Sequence, residues 1–547
     1  MQTILVASTY YLCLDPKQTQ KMRPFPPLAT LYVAAALRRA GHRVAFFDAM
    51  LADGEHSFDA VLDRERPATV VLYDDNFNFL SKMCLTRMRR AAFTMAAAAR
   101  ARGAYVIVSG PDVTDHPDWY LDAGAHVAAI GEGDHTVVEL AAWRAGAPTS
   151  CEVPEHIAGV VSGAGRRERR NERHPDVFAH PARDLLDIES YRRIWLEHHG
   201  RFTLNMVSTR GCPFHCNWCA KPIWGQRYAM RSPADVAAEL AAVKAEIGPD
   251  HIWFADDIFG LRASWLQEFG ALVEQLEARV PFTIQSRADL MTPQAVAGLQ
   301  RAGCAEVWLG AESGSQAVLD AMDKGITVDQ IRAARAELGR AGIRAAFFVQ
   351  FGYPGEELDD IVATRELVRS TLPDDMGISV SYPLPGTRFH AMVADQLAVF
   401  VDTSWAGLGG TQLSGVIRNA KFEYMAPFSP DFTLDQRVDL DMTKHQESGG
   451  FKGRVDLLME LDATGAAQVA SWRANDLQYI RLSNKGSLIT GVIYKEVRVD
   501  GAFRFPDDNK PNFSEDTRLV ALSFDSFYDP TGTKTLEFTV VNKEATI

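Results

Sequence analysis

The sequence has no apolar run long enough to cross a bilayer, and no basic segment precedes its first apolar residues. The start, Met1–Ala7, therefore indicates a buried strand and not a signal peptide. A disulfide framework is also absent: of 7 cysteines, the four at Cys13, Cys84, Cys151 and Cys304 stand singly, as reduced thiols do. These absences predict a cytoplasmic protein.

Excess positive charge is absent as well. The formal net charge of −13 argues against nucleic acid and anionic membranes as partners. One basic run, 166–173, permits a nucleic-acid interpretation, but its two glutamates and lack of aromatic neighbours favour a solvated hairpin or linker. With 47% apolar and 23% charged residues, the chain of 547 residues has the composition of a globular protein with two to four domains.

Three of the cysteines are clustered. The segment Thr209–Ala220 places Cys212, Cys216 and Cys219 in a C-x3-C-x2-C array. Three thiolates on one loop can hold three corners of a cubane iron–sulfur cluster, which leaves one iron open for a small molecule. Zinc is the competing metal, although structural zinc sites close with four ligands and His215 is crowded between two cysteines. A chance grouping of packed or free thiols is the remaining alternative.

This array, with Trp218 just before the third cysteine, resembles the signature of the radical S-adenosylmethionine (SAM) enzymes. The resemblance implies a four-iron, four-sulfur cluster whose open iron binds the amino and carboxylate groups of SAM. It also implies reductive cleavage of SAM to methionine and a 5′-deoxyadenosyl radical, with an external electron donor of the flavodoxin or ferredoxin type. The strand-like segment 202–207 before the loop suits the first strand of a barrel.

A βα rhythm over residues 201–400 predicts six units, a partial (β/α)6 barrel of the TIM type. Polar residues gather at the carboxyl ends of its strands, where barrel enzymes keep their chemistry. By the family resemblance, Glu312 and Ser313 bind SAM, and Arg287 is a partner for its carboxylate. Asp256 and Asp257 are proton donors, polar substrate contacts or a helix cap.

Residues 1–150 alternate strands with helices, which predicts an α/β domain with a doubly wound parallel sheet and a ligand at the carboxyl edge of its strands. Segments at that edge resemble the cobalamin-binding domain that precedes many radical SAM barrels. The resemblance implies cobalamin contacts at five residues, which are Ser109, Gly110, Gly131, Glu132 and Gly133. Plain turns would explain these glycines equally well. No D-x-H-x-x-G motif is present, so we expect cobalt without a protein histidine ligand.

Three further segments complete the interpretation. The loop 74–83 either faces the corrin and the barrel or begins a capped helix, and residues 151–200 form a connector. Residues 401–547 change to period-two alternation, which predicts an all-β domain. This tail resembles a phage tail-tube domain, and it has no cysteine for an auxiliary cluster.

The combined pattern predicts a cobalamin-dependent radical SAM methyltransferase acting on an unactivated carbon of a small molecule. An enzyme that forms rings or oxidises its substrate, as the anaerobic porphyrin cyclases do, is the first alternative. A non-catalytic binding or assembly protein is the second.

Overall fold

The computed structural model describes residues 3–77, 85–147, 152–169, 171–220, 223–225, 227–381, 383–384 and 386–393. Beyond residue 396 it describes only the backbone of strands. The chain divides into two compact units, one of residues 1–350 and 359–379 and the other of residues 351–358 and 380–547. Within the described residues, no helix is long and apolar enough to span a membrane.

A seven-stranded sheet organises the N-terminal domain, in the order β2-β1-β3-β4-β5-β6-β7. The first five strands of this order pair in parallel, as the alternation of strands and helices predicted. The strands are β1 (Thr3–Ala7), β2 (Arg43–Phe47), β3 (Thr69–Tyr73), β4 (Tyr105–Ser109), β5 (Val127–Ala129), β6 (Val160–Ser162) and β7 (Gly165–Arg167). β3, β4 and β5 are buried along their whole length, as expected for parallel strands covered on both faces.

In the described part of this domain, seven α-helices accompany the sheet. They are α1 (Pro16–Lys21), α2 (Leu28–Arg39), α3 (His56–Glu65), α4 (Leu85–Ala101), α5 (Pro111–Asp115), α6 (Pro117–Asp122) and α7 (Asp134–Gly146). The N-terminus of α2 is capped from a distance, because the Asp75 carboxylate accepts the backbone N–H groups of Leu28 and Ala29, both at 3.1 Å. Part of the loop 74–83 thus anchors a helix of its own domain, while its residues 78–83 lie outside the described part of the chain.

The connector extends the first sheet. Strands β6 and β7 form an antiparallel hairpin that includes Arg166 and Arg167, and β6 also pairs antiparallel with β5. Only Arg166 and Arg167 of the basic run lie in this hairpin, so for the rest of 166–173 the hairpin or linker interpretation stays a prediction. Helix α8 (Ile188–His199) follows, capped by the side chain of Asp187, which accepts the Ser190 N–H at 3.2 Å.

A six-stranded sheet in the order β15-β14-β13-β12-β11-β8 forms the partial barrel, with the six units that the sequence predicted. Its strands are β8 (Thr203–Met206), β11 (His251–Phe254), β12 (Phe282–Ser286), β13 (Cys304–Glu312), β14 (Arg344–Phe351) and β15 (Asp375–Val380). Its helices are α9 (Pro233–Glu246), α10 (Ala263–Gln275), α11 (Pro293–Ala302), α12 (Gln316–Ala321), α13 (Val328–Arg340) and α14 (Leu358–Thr371). A separate antiparallel ribbon of β9 (Thr209–Gly211) and β10 (Tyr228–Met230) follows β8.

After α15 (Arg388–Met392), the described backbone consists of strands that pair antiparallel with one another. They are β16 (Leu397–Asp402), β17 (Gln412–Ile417), β18 (Thr433–Asp441), β19 (Val455–Leu461), β20 (Leu477–Asn484), β21 (Ser487–Thr490), β22 (Tyr494–Val499), β23 (Arg518–Phe524) and β24 (Thr533–Asn542). Residues 449–450 and 529–532, whose composition predicts turns between strands, lie outside the described residues.

Candidate functional site

The cysteine loop begins directly after β9. Cys212, Cys216 and Cys219 are partly exposed on an irregular segment, and none of the three forms a disulfide. Asn217 holds the middle of the loop to the end of α12, because its backbone N–H donates to the Met322 carbonyl at 3.0 Å and its side-chain amide donates to the Ala321 carbonyl at 2.7 Å. The barrel therefore presents all three thiols on one supported loop.

Asp256 fixes the entry to this loop from the neighbouring strand. It follows β11, is buried, and accepts the backbone N–H groups and the hydroxyls of Ser208 and Thr209. Burial raises the pKa of Asp256 to about 7, against the lowering effect of these hydrogen bonds. The geometry is that of a carboxylate that positions the chain.

Asp257 differs from its neighbour, because its side chain is exposed. Neither aspartate caps the following helix, since the N-cap residue of α10 is Arg262. The helix-cap alternative for this pair is therefore wrong. Proton donation and substrate contact stay predictions for both residues.

Glu312 ends β13 in an unusual conformation. Its φ is 61°, in the left-handed region, at a shift of register between β13 and β14. One carboxylate oxygen, Oε1, lies 2.7 Å from the Lys324 ammonium nitrogen, and both side chains are buried. The other oxygen, Oε2, is buried and has no hydrogen-bond partner in the described residues. A buried acceptor of this kind suits a ligand that brings an N–H donor.

Lys324 and Trp218 complete this corner. Burial alone would lower the pKa of Lys324, but the carboxylate of Glu312 and a thiolate at Cys216 outweigh it, so the pKa is raised. The Lys324 ammonium lies 5.9 Å from the centre of the Trp218 ring. The indole Nε1–H of Trp218 is buried without a partner among the described residues. The structure thus brings the predicted Trp218 and Glu312 together around a lysine that the sequence reasoning missed.

Arg287 lies against the cysteine loop. Its guanidinium covers the Phe214 ring at 3.7 Å, pairs with Asp289 at 3.0 Å and places Nη1 3.9 Å from the Cys216 Sγ. Ser313, in contrast, is fully buried, and its hydroxyl lies 3.1 Å from both the Thr364 hydroxyl and the Ser315 N–H. The roles of both residues in binding SAM stay predictions, and only Arg287 faces a cysteine.

The predicted cobalamin residues meet at the carboxyl edge of β4 and β5, as expected. Packing alone explains two of the glycines, since a Cβ at Gly110 would lie 2.6 Å from the Asp74 Cβ and one at Gly133 would lie 2.5 Å from the Ser109 Oγ. Gly131, with φ 67°, has no atom closer than 3.8 Å to such a Cβ. Gly131 is therefore the glycine at this edge with room beside it.

The carboxylate of Glu132 is engaged by other groups of the protein. Its buried carboxylate pairs with Arg210, which lies on β9 two residues before Cys212. Its other oxygen accepts the backbone N–H of Glu172. The role of Glu132 in binding cobalamin stays a prediction, but its observed partners are protein groups. No local pattern in the sequence signals this pairing, because Arg210 and Glu132 lie 78 residues apart in the chain.

Two family models match the two domains. The model of the radical SAM superfamily matches residues 206–368, and the model of the B12 binding domain matches residues 23–141. The chain carries a radical SAM domain and a B12 binding domain. These domains imply the three cofactors expected from the sequence, which are a four-iron, four-sulfur cluster, SAM and cobalamin.

Curated relatives are similar over about two thirds of the chain. An uncharacterized methyltransferase of Pyrococcus horikoshii is 26% identical over 377 residues, covering 66% of this chain and 77% of the relative. The hopanoid C-3 methylase of Methylococcus capsulatus is 26% identical over 397 residues, covering 69% and 71%. The solved radical SAM methyltransferase TsrM of Kitasatospora setae, with cobalamin and its cluster bound, is 18% identical with a TM-score of 0.59, covering 72% and 78%. The last comparison supports the fold.

The residues present fit the implied groups. Among the described residues, no three side chains of His, Cys, Asp or Glu converge as closely as the ligands of one metal ion do. A cubane offers each thiolate its own iron, so the three cysteines need not converge on one point. The unsatisfied Glu312 Oε2 and Trp218 Nε1 suit the polar groups of SAM, and the buried, unpartnered Asn76 Oδ1 near the edge of β3 suits the amide-rich rim of a corrin.

Proposed function

We propose that this protein is a cobalamin-dependent radical SAM methyltransferase that methylates an unactivated carbon of a small molecule. One observation supports the proposal above all others: the loop of three cysteines and the carboxyl edge of the B12 binding domain are joined directly, through the pair of Arg210 with Glu132. A radical source and a methyl carrier that share one substrate must lie close together.

When bound, the cluster and SAM supply a 5′-deoxyadenosyl radical, and methylcobalamin supplies the methyl group. The protein's own residues bind and orient these groups. Cys212, Cys216 and Cys219 would hold three irons of the cluster, Glu312 Oε2 would accept from the amino group of SAM, and Arg287 would attract the SAM carboxylate. Lys324 holds the side chain of Glu312 in place through its 2.7 Å contact with Oε1.

The remaining assignments follow from this function. The reaction requires an external one-electron donor of flavodoxin or ferredoxin type and a reducing compartment, for which we infer the cytoplasm. We also infer that residues 401–547 form a separate all-β domain, consistent with the strands β17–β24.

The test is anaerobic reconstitution followed by product analysis with SAM labelled on its methyl group, using small molecules that co-purify with the protein as substrate candidates. Label entering a carbon of the product supports methylation. A product without label, formed together with 5′-deoxyadenosine, would favour ring formation or oxidation instead. Failure to form 5′-deoxyadenosine with any reductant would favour a non-catalytic protein.

The cysteine assignments have their own test. We expect Cys212→Ala, C216A and C219A each to lose the four-iron cluster and all 5′-deoxyadenosine, because each thiolate holds a separate iron. Cys13→Ser is the matched control, since Cys13 is exposed and outside the loop, and it should keep wild-type iron content and activity. Zinc near one equivalent without iron, or a second cluster per chain, would contradict the assignment.

A further inference from the structure

The cysteine loop is anchored to the B12 binding domain at its entry. Arg210 Nη1 lies 2.5 Å from Glu132 Oε1 and 3.0 Å from Asp134 Oδ2, while Nη2 lies 3.3 Å from Asp134 Oδ1. Glu132 follows β5 and Asp134 begins α7, so both carboxylates belong to the domain that the B12 model matches. All three side chains are 5% exposed or less.

The guanidinium of Arg210 is also enclosed by rings. Phe178 lies 3.8 Å below it, and Tyr32 and Phe77 each lie 5.5 Å away. A guanidinium buried between two carboxylates and aromatic faces loses a hydrogen bond or a ring contact when it moves away from them.

The exit of the loop has a second anchor on the same domain. Trp224, five residues after Cys219, stacks on Phe77 with ring centres 5.3 Å apart and planes at 26°. Phe77 belongs to the loop after β3. Both ends of the cysteine loop are therefore tied to the carboxyl edge of the first sheet, where the predicted corrin contacts Ser109 and Gly131 lie.

We infer that Arg210, held by Glu132 and Asp134, is a positioning residue that sets the separation between the cluster and the cobalamin of this enzyme. The inference rests on the proposed function, because that function places both cofactors here. Because both terminal nitrogens of Arg210 are engaged by the two carboxylates, we assign the side chain no direct contact with either cofactor. A change in this separation is expected to alter the coupling between radical formation and methyl transfer.

The test needs no substrate. Wild type, Arg210→Lys and D134N are reconstituted with iron, sulfide and hydroxocobalamin and reduced with dithionite, without SAM, so that the cluster stays reduced and paramagnetic. The reduced cluster shortens the relaxation time of the cob(II)alamin EPR signal in a manner that depends steeply on distance. Both variants are expected to bind iron and cobalt in wild-type amounts. Both are also expected to show a smaller relaxation enhancement with a wider spread among molecules. In Arg210→Lys the reason is that lysine offers one point contact where arginine offers a fork.

Glu239→Gln is the matched control. Glu239 is a buried carboxylate between Arg183 and Arg231 and does not touch Arg210 or the cysteine loop. This variant loses a buried charge of similar kind, so it is expected to lose stability without changing the relaxation enhancement. If Arg210→Lys and Glu239→Gln show the same relaxation enhancement, the inference is overturned and Arg210 is only a structural residue.

A second measurement is independent of both cofactors. Hydrogen exchange of the backbone amides in 209–220 of the apoprotein is expected to rise about tenfold in Arg210→Lys and to stay near wild type in Glu239→Gln. If Arg210→Lys does not fold, the charge-neutral variant R210Q/E132Q/D134N takes its place in both measurements. If the wild-type protein binds no cobalamin, the proposed function is refuted. If the hydrogen exchange of residues 209–220 is unchanged in Arg210→Lys as well as in Glu239→Gln, the anchoring of the loop by Arg210 is refuted.

Discussion

At the scale of single residues, Glu312 combines backbone strain with a half-satisfied buried carboxylate. A glutamate in the left-handed region costs roughly 1–3 kcal/mol, and such strain collects at functional sites. Lys324 satisfies Oε1 and leaves Oε2 without a partner among the described residues. The residue is therefore arranged to receive a donor.

Glu312→Gln should weaken SAM binding by about 10-fold to 100-fold, the effect of losing a hydrogen bond to a charged group worth roughly 1.5–3 kcal/mol. The iron content should not change, because an amide oxygen can still accept from Lys324. Binding is measured by titrating SAM against the EPR spectrum of the reduced cluster. Glu306→Gln, on the same strand β13, is the control and should bind normally; equal affinity in the two variants would exclude the assignment of Glu312.

The histidines of the B12 binding domain bear on the cobalt ligand. His126 accepts the Val106 N–H at Nδ1, 3.0 Å away, and stacks on Tyr105, while His135 lies 3.5 Å from Glu172. His116 stacks on Trp119 with ring centres 4.0 Å apart. These rings already have protein partners in the described residues.

We therefore expect the cob(II)alamin form to bind with no histidine nitrogen and with its own base displaced from cobalt. Its EPR spectrum should lack nitrogen superhyperfine splitting from an axial ligand. Free cob(II)alamin with its base bound, measured in the same buffer, provides the reference spectrum. Nitrogen splitting in the protein-bound form would contradict this prediction, and its loss in H116A, H126A or H135A would identify the ligand.

At the scale of elements, Asp256 shows how a residue that follows one strand positions the segment that follows the neighbouring strand. The carboxyl ends of adjacent parallel strands lie side by side, so the residue after β11 reaches the segment after β8. Through its hydrogen bonds to Ser208 and Thr209 it directs β9 and, through β9, the first cysteine.

Asp256→Asn should reduce the fraction of protein that assembles a cluster and lower stability by about 1–3 kcal/mol, because an amide supplies one acceptor oxygen where the carboxylate supplies two. D257N, one residue later and exposed, should behave as wild type in both respects. Iron analysis and chemical unfolding measure the two effects. An Asp256→Asn protein with full cluster content, normal stability and no activity would instead favour proton donation.

The elements were more predictable than the contacts between them. Strands such as β3 (Thr69–Tyr73) are predictable because a short apolar run flanked by polar residues is a local signal. The partner of Glu132 was not predictable in this way, since Arg210 lies 78 residues further along the chain and no local pattern encodes that pairing. Likewise, Ser313 matched a family motif, but its hydroxyl is bonded to Thr364 of α14, which only the fold brings near.

At the scale of the whole molecule, the matched families account for residues 23–141 and 206–368. Residues 401–547 lie beyond both matches, and the resemblance of this tail to a phage tail-tube domain stays a prediction. Because the cysteine loop, Glu312 and the edge of β4 and β5 all belong to the first compact unit, the chemistry of the proposed function depends on that unit.

The stability of this unit should depend on pH through His251. Burial lowers its pKa from 6.5 to about 4, so it is neutral in the folded barrel, where Nε2 lies 3.0 Å from the Thr283 hydroxyl. A histidine whose folded pKa is depressed stabilises the fold above its unfolded pKa, and that contribution is lost as the pH falls from about 6.5 towards 4. Between about pH 7.5 and 5.5 the loss should be roughly 1 kcal/mol.

Hydrogen exchange of the buried amides in β11, β12 and β13 measures the free energy of opening the barrel, and the contribution of His251 is the difference in its pH dependence between two proteins. The comparison is made between wild type and His251→Gln, which cannot titrate. The variant should lose about 1 kcal/mol less than wild type over the same interval. His56→Gln is the control, because the side chain of His56 is 74% accessible. This variant should show the same dependence of stability on pH as wild type. If His251→Gln retains it too, His251 is not the group that makes the barrel sensitive to mild acid.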